Sequence, residues 1–214
     1  MGEKIKNLIL ISGKKGSGKD TVADYLRKEY DFKKFAFADE LKNMCLVFCN
    51  EIMFGADKET GENITIDHFY NEALKERLLS FPFVDDLEEE ITPRYIMQKF
   101  GTNFIRRYFD ENYWIKNTIM NIKNKNWENN AISDLRYKNE LNVITAELAQ
   151  YYNIYTIRIS RLNPIIPDNH SSEIDLDDYS KWDYIIDNND GTLEDLYDHV
   201  DIIMNSIYRR KKYD

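Results

Sequence analysis

The sequence predicts an α/β fold, a parallel sheet flanked by helices, from three observations. Short apolar runs alternate with segments of helical period along most of the 214 residues. The first apolar run, Leu8-Ile9-Leu10-Ile11, suits a strand buried on both faces. A glycine-rich loop, Gly13-Lys14-Lys15-Gly16-Ser17-Gly18-Lys19-Asp20-Thr21, then leads straight into a helical pattern. The strand candidates are Leu8–Ser12, Lys34–Ala38, Asn130–Asp134, Ile154–Ile159 and Trp182–Asp187. The helical patterns are Thr21–Glu29, Glu40–Cys49, Pro93–Phe100, Phe104–Ile122, Glu140–Tyr151 and Leu193–Arg210. Right-handed crossovers join such strands, and ligands gather beyond their carboxyl ends.

The loop after the first strand has the pattern G-x-x-x-x-G-K, a phosphate-binding P-loop, with Asp20 where Ser or Thr is usual and Thr21 behind it. Its glycines let successive N–H groups turn inward on phosphate oxygens. Lys19 adds a flexible point charge for the β- and γ-phosphates. A nucleoside triphosphate, or something very like it, is therefore the expected ligand of Gly13 to Thr21.

The bulk composition narrows the class. With 43% hydrophobic and 31% charged residues, the chain reads as an ordinary globular domain. A net charge of −9 argues against a general nucleic-acid binder, so a polyanion must be met by a local basic pocket. No apolar run approaches the ~20 residues of a membrane helix, so no membrane partner is expected and a cytoplasmic setting is. One domain is expected over residues 1–214, with a lid loop over 160–180. Residues 51–90, polar and ending in Asp85-Asp86-Leu87-Glu88-Glu89-Glu90, interrupt the alternation and read as an inserted substrate-side lobe. The acidic run itself reads as a solvated face. Cys45 and Cys49 stand four apart without metal-ligating neighbours and read as packed, reduced thiols. The basic Arg209-Arg210-Lys211-Lys212 run complements a helix C-terminus.

Three patches supply the remaining groups that phosphoryl transfer needs. Asp39 and Lys42 begin the helix after the second strand; Asp39 suits an N-cap, and Lys42 reaches for a substrate phosphate. Arg94, Gln98 and Gly101 fall on one helical face, with Arg106, Tyr113 and Trp114 following. Arginine binds phosphate bidentately, Gln suits a base edge, and Trp either stacks on a base or fills the core. Asp134, at the end of an apolar strand, stands where a Mg²⁺-linked carboxylate is expected, with Arg136 beside it for a phosphate. Arg158, Arg161, His170 and Glu173 lie around the lid, where an arginine closing on the triphosphate would stabilise transition-state charge.

In this order the motifs resemble the deoxynucleoside monophosphate kinases of tailed bacteriophages, over nearly the whole chain. The family loop G-x-x-x-S-G-K-D-T matches Gly13–Thr21, so Asp20 is no departure within it. Its R-x-x-x-Q-x-x-G-T segment matches Arg94, Gln98, Gly101 and Thr102, followed by Tyr113-Trp114. Its D-x-R strand end, followed by N-E, matches Asp134, Arg136, Asn139 and Glu140. The lid arginine and its H-x-S/T-E element match Arg161, His170, Ser172 and Glu173, though the family's P-G after the arginine is Leu162-Asn163 here. The closing N-D-G-T-x-E-x-L matches Asn189 to Leu196.

The resemblance implies transfer of the ATP γ-phosphate to a deoxynucleoside monophosphate with Mg²⁺. It implies Lys19, Arg136 and Arg161 as catalytic residues. Asp39, Lys42, Arg94, Gln98, Gly101, Arg106, Trp114, Asp134 and Arg136 would bind substrate, and Asp20 and Asp134 would meet the metal. A homodimer is implied by the same relatives. The alternatives are another small-molecule kinase, such as an animal-type phosphomevalonate kinase sharing the P-loop and D-x-R, or a non-catalytic nucleotide-binding module. A GTPase is disfavoured, because Asn124-Lys125-Asn126-Trp127 does not complete N-K-x-D.

Overall fold

A computed structural model of the protein describes residues 6–83, 90–161, 174–189 and 191–210. By contacts the chain divides into two compact units, residues 1–36 with 118–214, and residues 37–117.

The first unit is built on five parallel strands in the order β2-β5-β1-β6-β7. They are β1 (Lys6–Gly13), β2 (Lys33–Phe35), β5 (Asn129–Leu135), β6 (Tyr152–Ser160) and β7 (Tyr184–Asp187). The β1 run is buried because it is central, with neighbours on both edges: Leu10 pairs with Ile132 on one side and Thr156 on the other. Alternation sorts its side chains. Ile9 and Ile11 join Ala131, Ile157, Ile159 and Ile186 on one face, under Val22, Ala23 and Leu26 of helix α1 (Lys19–Glu29). The C-terminal helix, Leu193–Arg210, closes that face with Leu196, Val200, Ile203, Met204 and Ile207. Leu8 and Leu10 point the other way, and helix α6 (Lys138–Leu148) packs on β6 with Leu141, Ile144 and Leu148 buried. The second strand is shorter than the apolar pattern predicts and ends at Phe35.

The second unit opens with α2 (Asp39–Val47), which loosens into a π-helical turn at Phe48–Ile52. An antiparallel pair follows, β3 (Ala56–Asp57) with β4 (Leu79–Ser80), enclosing the short helix α3 (Asp67–Tyr70) and a 3₁₀ turn, Leu74–Glu76. Helix α4 (Pro93–Gln98) starts with Pro93 in the first turn, and Thr92 Oγ1 accepts the Tyr95 N–H at 3.1 Å as its N-cap. The chain then widens into a π-helical run, Lys99–Arg106, before a break at Asp110 and helix α5 (Tyr113–Lys125). The single helix expected over Phe104–Ile122 is therefore two pieces. Asp110 accounts for the restart: its carboxylate accepts the Asn112 N–H at 2.9 Å and pairs with Lys116 at 2.6 Å.

The β3–β4 pair is held by a buried carboxylate. Asp57, 1% exposed, accepts from His68 Nε2 and Arg77 Nη1, each at 3.0 Å. Burial pushes its carboxyl up, but those bonds and the Glu59 and Thr60 N–H groups outweigh this and hold it well below the usual carboxylate range. A folded-state value below the unfolded one means that the unfolded chain binds more protons at acid pH. Asp57 thus contributes its full stability above about pH 4 and loses it as the pH falls further. Asp57→Asn should cost roughly 2–3 kcal/mol at neutral pH. In urea titrations it should also flatten the fall of stability below about pH 4; an unaltered acid limb would exclude Asp57 as its source.

Cys45 and Cys49 are both buried and free, and burial pushes each thiol to about 12. Native protein at neutral pH should resist alkylation at both, and urea should expose both to it. No described helix is long and apolar enough to cross a membrane.

Candidate functional site

The loop from Gly13 to Lys19 leaves the carboxyl end of the central strand and runs into the N-terminus of α1. Two glycines in it are structural necessities. Gly18 caps α1 at φ 104°, a conformation that side chains with a Cβ rarely adopt. At Gly13 a Cβ would stand 2.5 Å from Ser17 Oγ and 2.6 Å from the Ile159 carbonyl oxygen. The loop curls tightly enough for Lys19, 7% exposed, to donate back to the Gly13 and Lys14 carbonyls at 2.5 and 2.7 Å. Asn188, just beyond β7, donates from Nδ2 to the Ser17 carbonyl at 2.9 Å and fixes the outer side of the turn. Ser17 Oγ is buried and has no hydrogen-bond partner among the described residues. A helix N-terminus and an ammonium at one point are an arrangement suited to phosphate.

Other groups converge on the same end of the sheet. Arg161, directly after β6, donates from Nη1 to the Gly16 carbonyl at 3.1 Å, so the expected lid arginine stands at the loop. Asp134 and Arg136, both half-buried, lie at and just beyond the end of β5. Glu140 fixes the turn there: 2% exposed, it accepts the Arg136 and Tyr137 N–H groups at 2.8 and 3.0 Å. Asp20, in the first turn of α1, pairs with Lys34 at 2.9 Å and accepts from Ser133 Oγ at 3.3 Å. Burial raises its carboxyl, but Lys34 and Ser133 prevail and hold it below the ordinary value, so it is ionised at neutral pH.

Lys42 Nζ lies 3.6 Å from Asp39 Oδ1 and 3.7 Å from the Tyr70 ring centroid. The Tyr70 hydroxyl donates to Asp39 Oδ1 at 2.8 Å. Asp39 is the first residue of α2 and follows the cap position, Ala38. Arg94 in α4 pairs with Glu76 through Nε and with Glu72 through Nη2, the latter at 2.9 Å. Gln98 is exposed and Arg106 half-buried.

Two placements differ from the helical pattern or narrow an open reading. Arg94, Gln98 and Gly101 do not share a face: Gln98 is exposed and Gly101 buried, because the π-helical run from Lys99 turns less per residue than an α-helix. A Cβ on Gly101 would meet Leu41 Cδ2 at 2.6 Å, so this glycine permits close packing. Trp114 is 3% exposed and donates from Nε1 to the Gly101 carbonyl at 3.2 Å, which commits its indole to the core rather than to an open base-binding surface. His170, Ser172 and Glu173 lie outside the described residues, as do most of 160–180 and the acidic 84–89.

Sequence reasoning did not reach Asn188, Lys34, Tyr70, Glu72 and Glu76. The only signal for Asn188 was a polar residue directly after a strand. The others act through partners distant in sequence. Among the described residues no group of three or more His, Cys, Asp or Glu could hold a metal unaided.

A parallel sheet with a phosphate cradle at the carboxyl end of its central strand, and arginines gathered there, defines a P-loop kinase. The sequence profile of the deoxynucleotide monophosphate kinase family matches residues 7–70 and 71–200. A protein of Acanthamoeba polyphaga mimivirus bearing that family's name is 29% identical over 212 residues, covering 90% of this chain and 93% of its own. The deoxynucleotide monophosphate kinase of Enterobacteria phage T4 is 25% identical over 240 residues, covering 90% and 96%. Among solved structures, dephospho-CoA kinase from Campylobacter jejuni is similar over 94% of this chain and 97% of that one, with 15% identity and a TM-score of 0.49. The chain belongs to the deoxynucleotide monophosphate kinase family and is an enzyme of that kind.

Proposed function

We propose that the protein transfers the γ-phosphate of ATP to a deoxynucleoside 5′-monophosphate, giving ADP and a deoxynucleoside diphosphate. The observation that carries this reading is the curled Gly13–Lys19 loop with Lys19, Arg136 and Arg161 at the same end of the sheet. An acceptor phosphate oxygen forms a bond to Pγ as the bond from Pγ to the β,γ-bridging oxygen breaks. Negative charge accumulates on the bridging and equatorial oxygens, and fixed cations lower that barrier.

In this reading Gly13, Lys14, Lys15, Gly16, Ser17, Gly18, Asp20 and Thr21 hold the donor with Lys19. Lys19 follows the charge onto the leaving oxygen. Arg161 leaves the Gly16 carbonyl for the triphosphate, and Arg136 bridges donor and acceptor phosphates. On the acceptor side, Lys42, Arg94 and Arg106 hold the monophosphate. Asp39, Gln98 and Asp134 take the sugar and base, while Gly101 and Trp114 act through packing.

The donor set fits Mg²⁺, which takes one or two carboxylates and completes its shell with phosphate and water. Asp20 and Asp134 would hold it, and Asp20 is ionised and reachable from water. When bound, the ion neutralises phosphate charge.

The reading is tested by ADP release from ATP and Mg²⁺ against each deoxy- and ribonucleoside monophosphate in turn. Release that depends on at least one deoxynucleoside monophosphate is expected. Release independent of every acceptor would refute it.

A further inference from the structure

The polar stretch between Glu51 and Glu90 reads in sequence as a substrate-side lobe, and its described part meets the proposed acceptor residues. The segment from His68 to Arg77 is pinned at both ends by one carboxylate, Asp57. The Thr65 N–H, which can only donate, points at His68 Nδ1 at 3.1 Å, so Nε2 carries the proton that Asp57 accepts. Between the pins, three side chains leave the segment. Tyr70 holds Asp39 by its hydroxyl and lies under the Lys42 ammonium. Glu76 and Glu72 grip Arg94, and Glu72 is itself fixed by Lys75 at 2.6 Å.

The geometry at Arg94 is selective. Nε and Nη2 form the side edge of the guanidinium, and both carboxylates sit on it. Nη1, which the terminal fork that grips phosphate bidentately needs, is held by no described residue. Two carboxylates near an incoming phosphate also repel it. Lys75 balances one of them, and both are more than half exposed, so water and salt screen the remainder. Orientation of the fork therefore outweighs repulsion.

We propose that Tyr70, Glu72 and Glu76 are positioning residues for the phosphate acceptor, holding Lys42 and Arg94 so that the Arg94 fork meets the acceptor monophosphate. This gives the insertion its task, and it rests on the reading of Arg94 as an acceptor ligand.

The test is steady-state kinetics of Glu76→Gln, Glu72→Gln and Arg94→Gln, with KM resolved for each substrate and Tm measured in parallel. Glu76→Gln should raise the acceptor KM about five- to tenfold while the ATP KM stays within about twofold and Tm near wild type. Glu72→Gln should do the same to a smaller degree, since Lys75 loses its partner too. A purely structural role would instead lower Tm and shift both KM values together, which would overturn the proposal. So would an unchanged acceptor KM, or a lowered one, the mark of carboxylates that compete with phosphate. Arg94→Gln separates the two levels. If it raises the acceptor KM while both Glu variants leave it unchanged, the positioning role alone fails. If Arg94→Gln leaves it unchanged, the acceptor reading of Arg94 fails, and the positioning role with it.

Discussion

Lys19→Ala is expected to lower kcat by about 10²- to 10³-fold, the largest effect of any single substitution in this account. Its ammonium is built into the loop, 7% exposed and held by the Gly13 and Lys14 carbonyls. That pre-organisation matters because the charge it meets grows during transfer. Backbone N–H groups and the helix N-terminus would also hold ground-state ATP, so the ATP KM should rise far less than kcat falls. Rapid-quench measurement of a single turnover isolates the chemical step. A variant whose single-turnover rate stays within about threefold of wild type would remove Lys19 from the transition state.

Gly13→Ala is expected to have the second largest effect, acting on the shape of the loop. The new methyl would stand 2.6 Å from the Ile159 carbonyl oxygen, a backbone atom of the neighbouring strand, and 2.5 Å from Ser17 Oγ. The serine can turn aside, but the strand cannot without disturbing its ladder, in which Gly13 lies opposite Ile159. Overpacking of this kind costs about 1–3 kcal/mol. The loop must also open at its root, where the Lys19 ammonium docks on the Gly13 carbonyl. A lowered Tm together with an ATP KM raised about tenfold or more is expected. Calorimetric ATP affinity equal to wild type would show that the loop tolerates the methyl and that the close contact has no functional weight.

The parts of this site that are local in sequence were legible in advance. The strand, loop and helix from Leu8 to Glu29 follow one another without a break, and an apolar run, a turn of glycines and a 3.6-residue period each carry their own signal. The D-x-R at the end of β5 is legible for the same reason. What was not legible depends on partners far apart. Asn188 meets Ser17 across 171 positions, Asp20 meets Lys34 across 14, and Arg94 meets Glu72 across 22. Exposed charges such as Glu72 and Glu76 look the same in sequence whether they face solvent or grip an arginine. The helical face assigned to Arg94, Gln98 and Gly101 failed for another reason. It assumed an α-helical period through Lys99, where the chain changes to a π-helical one, and period is the quantity that such reasoning takes as given. Trp114 illustrates the ambiguity of large aromatics, which suit a base and a core equally until packing decides.

The central claim is that the P-loop unit delivers a phosphoryl group to a nucleotide and not to water. The direct measurement follows the fate of the label from ATP carrying labelled γ-phosphate, incubated with enzyme, Mg²⁺ and a deoxynucleoside monophosphate that supports turnover. The label is expected in the β-position of the deoxynucleoside diphosphate, one equivalent for each ADP formed. Label recovered as inorganic phosphate, with the monophosphate unchanged, would contradict it.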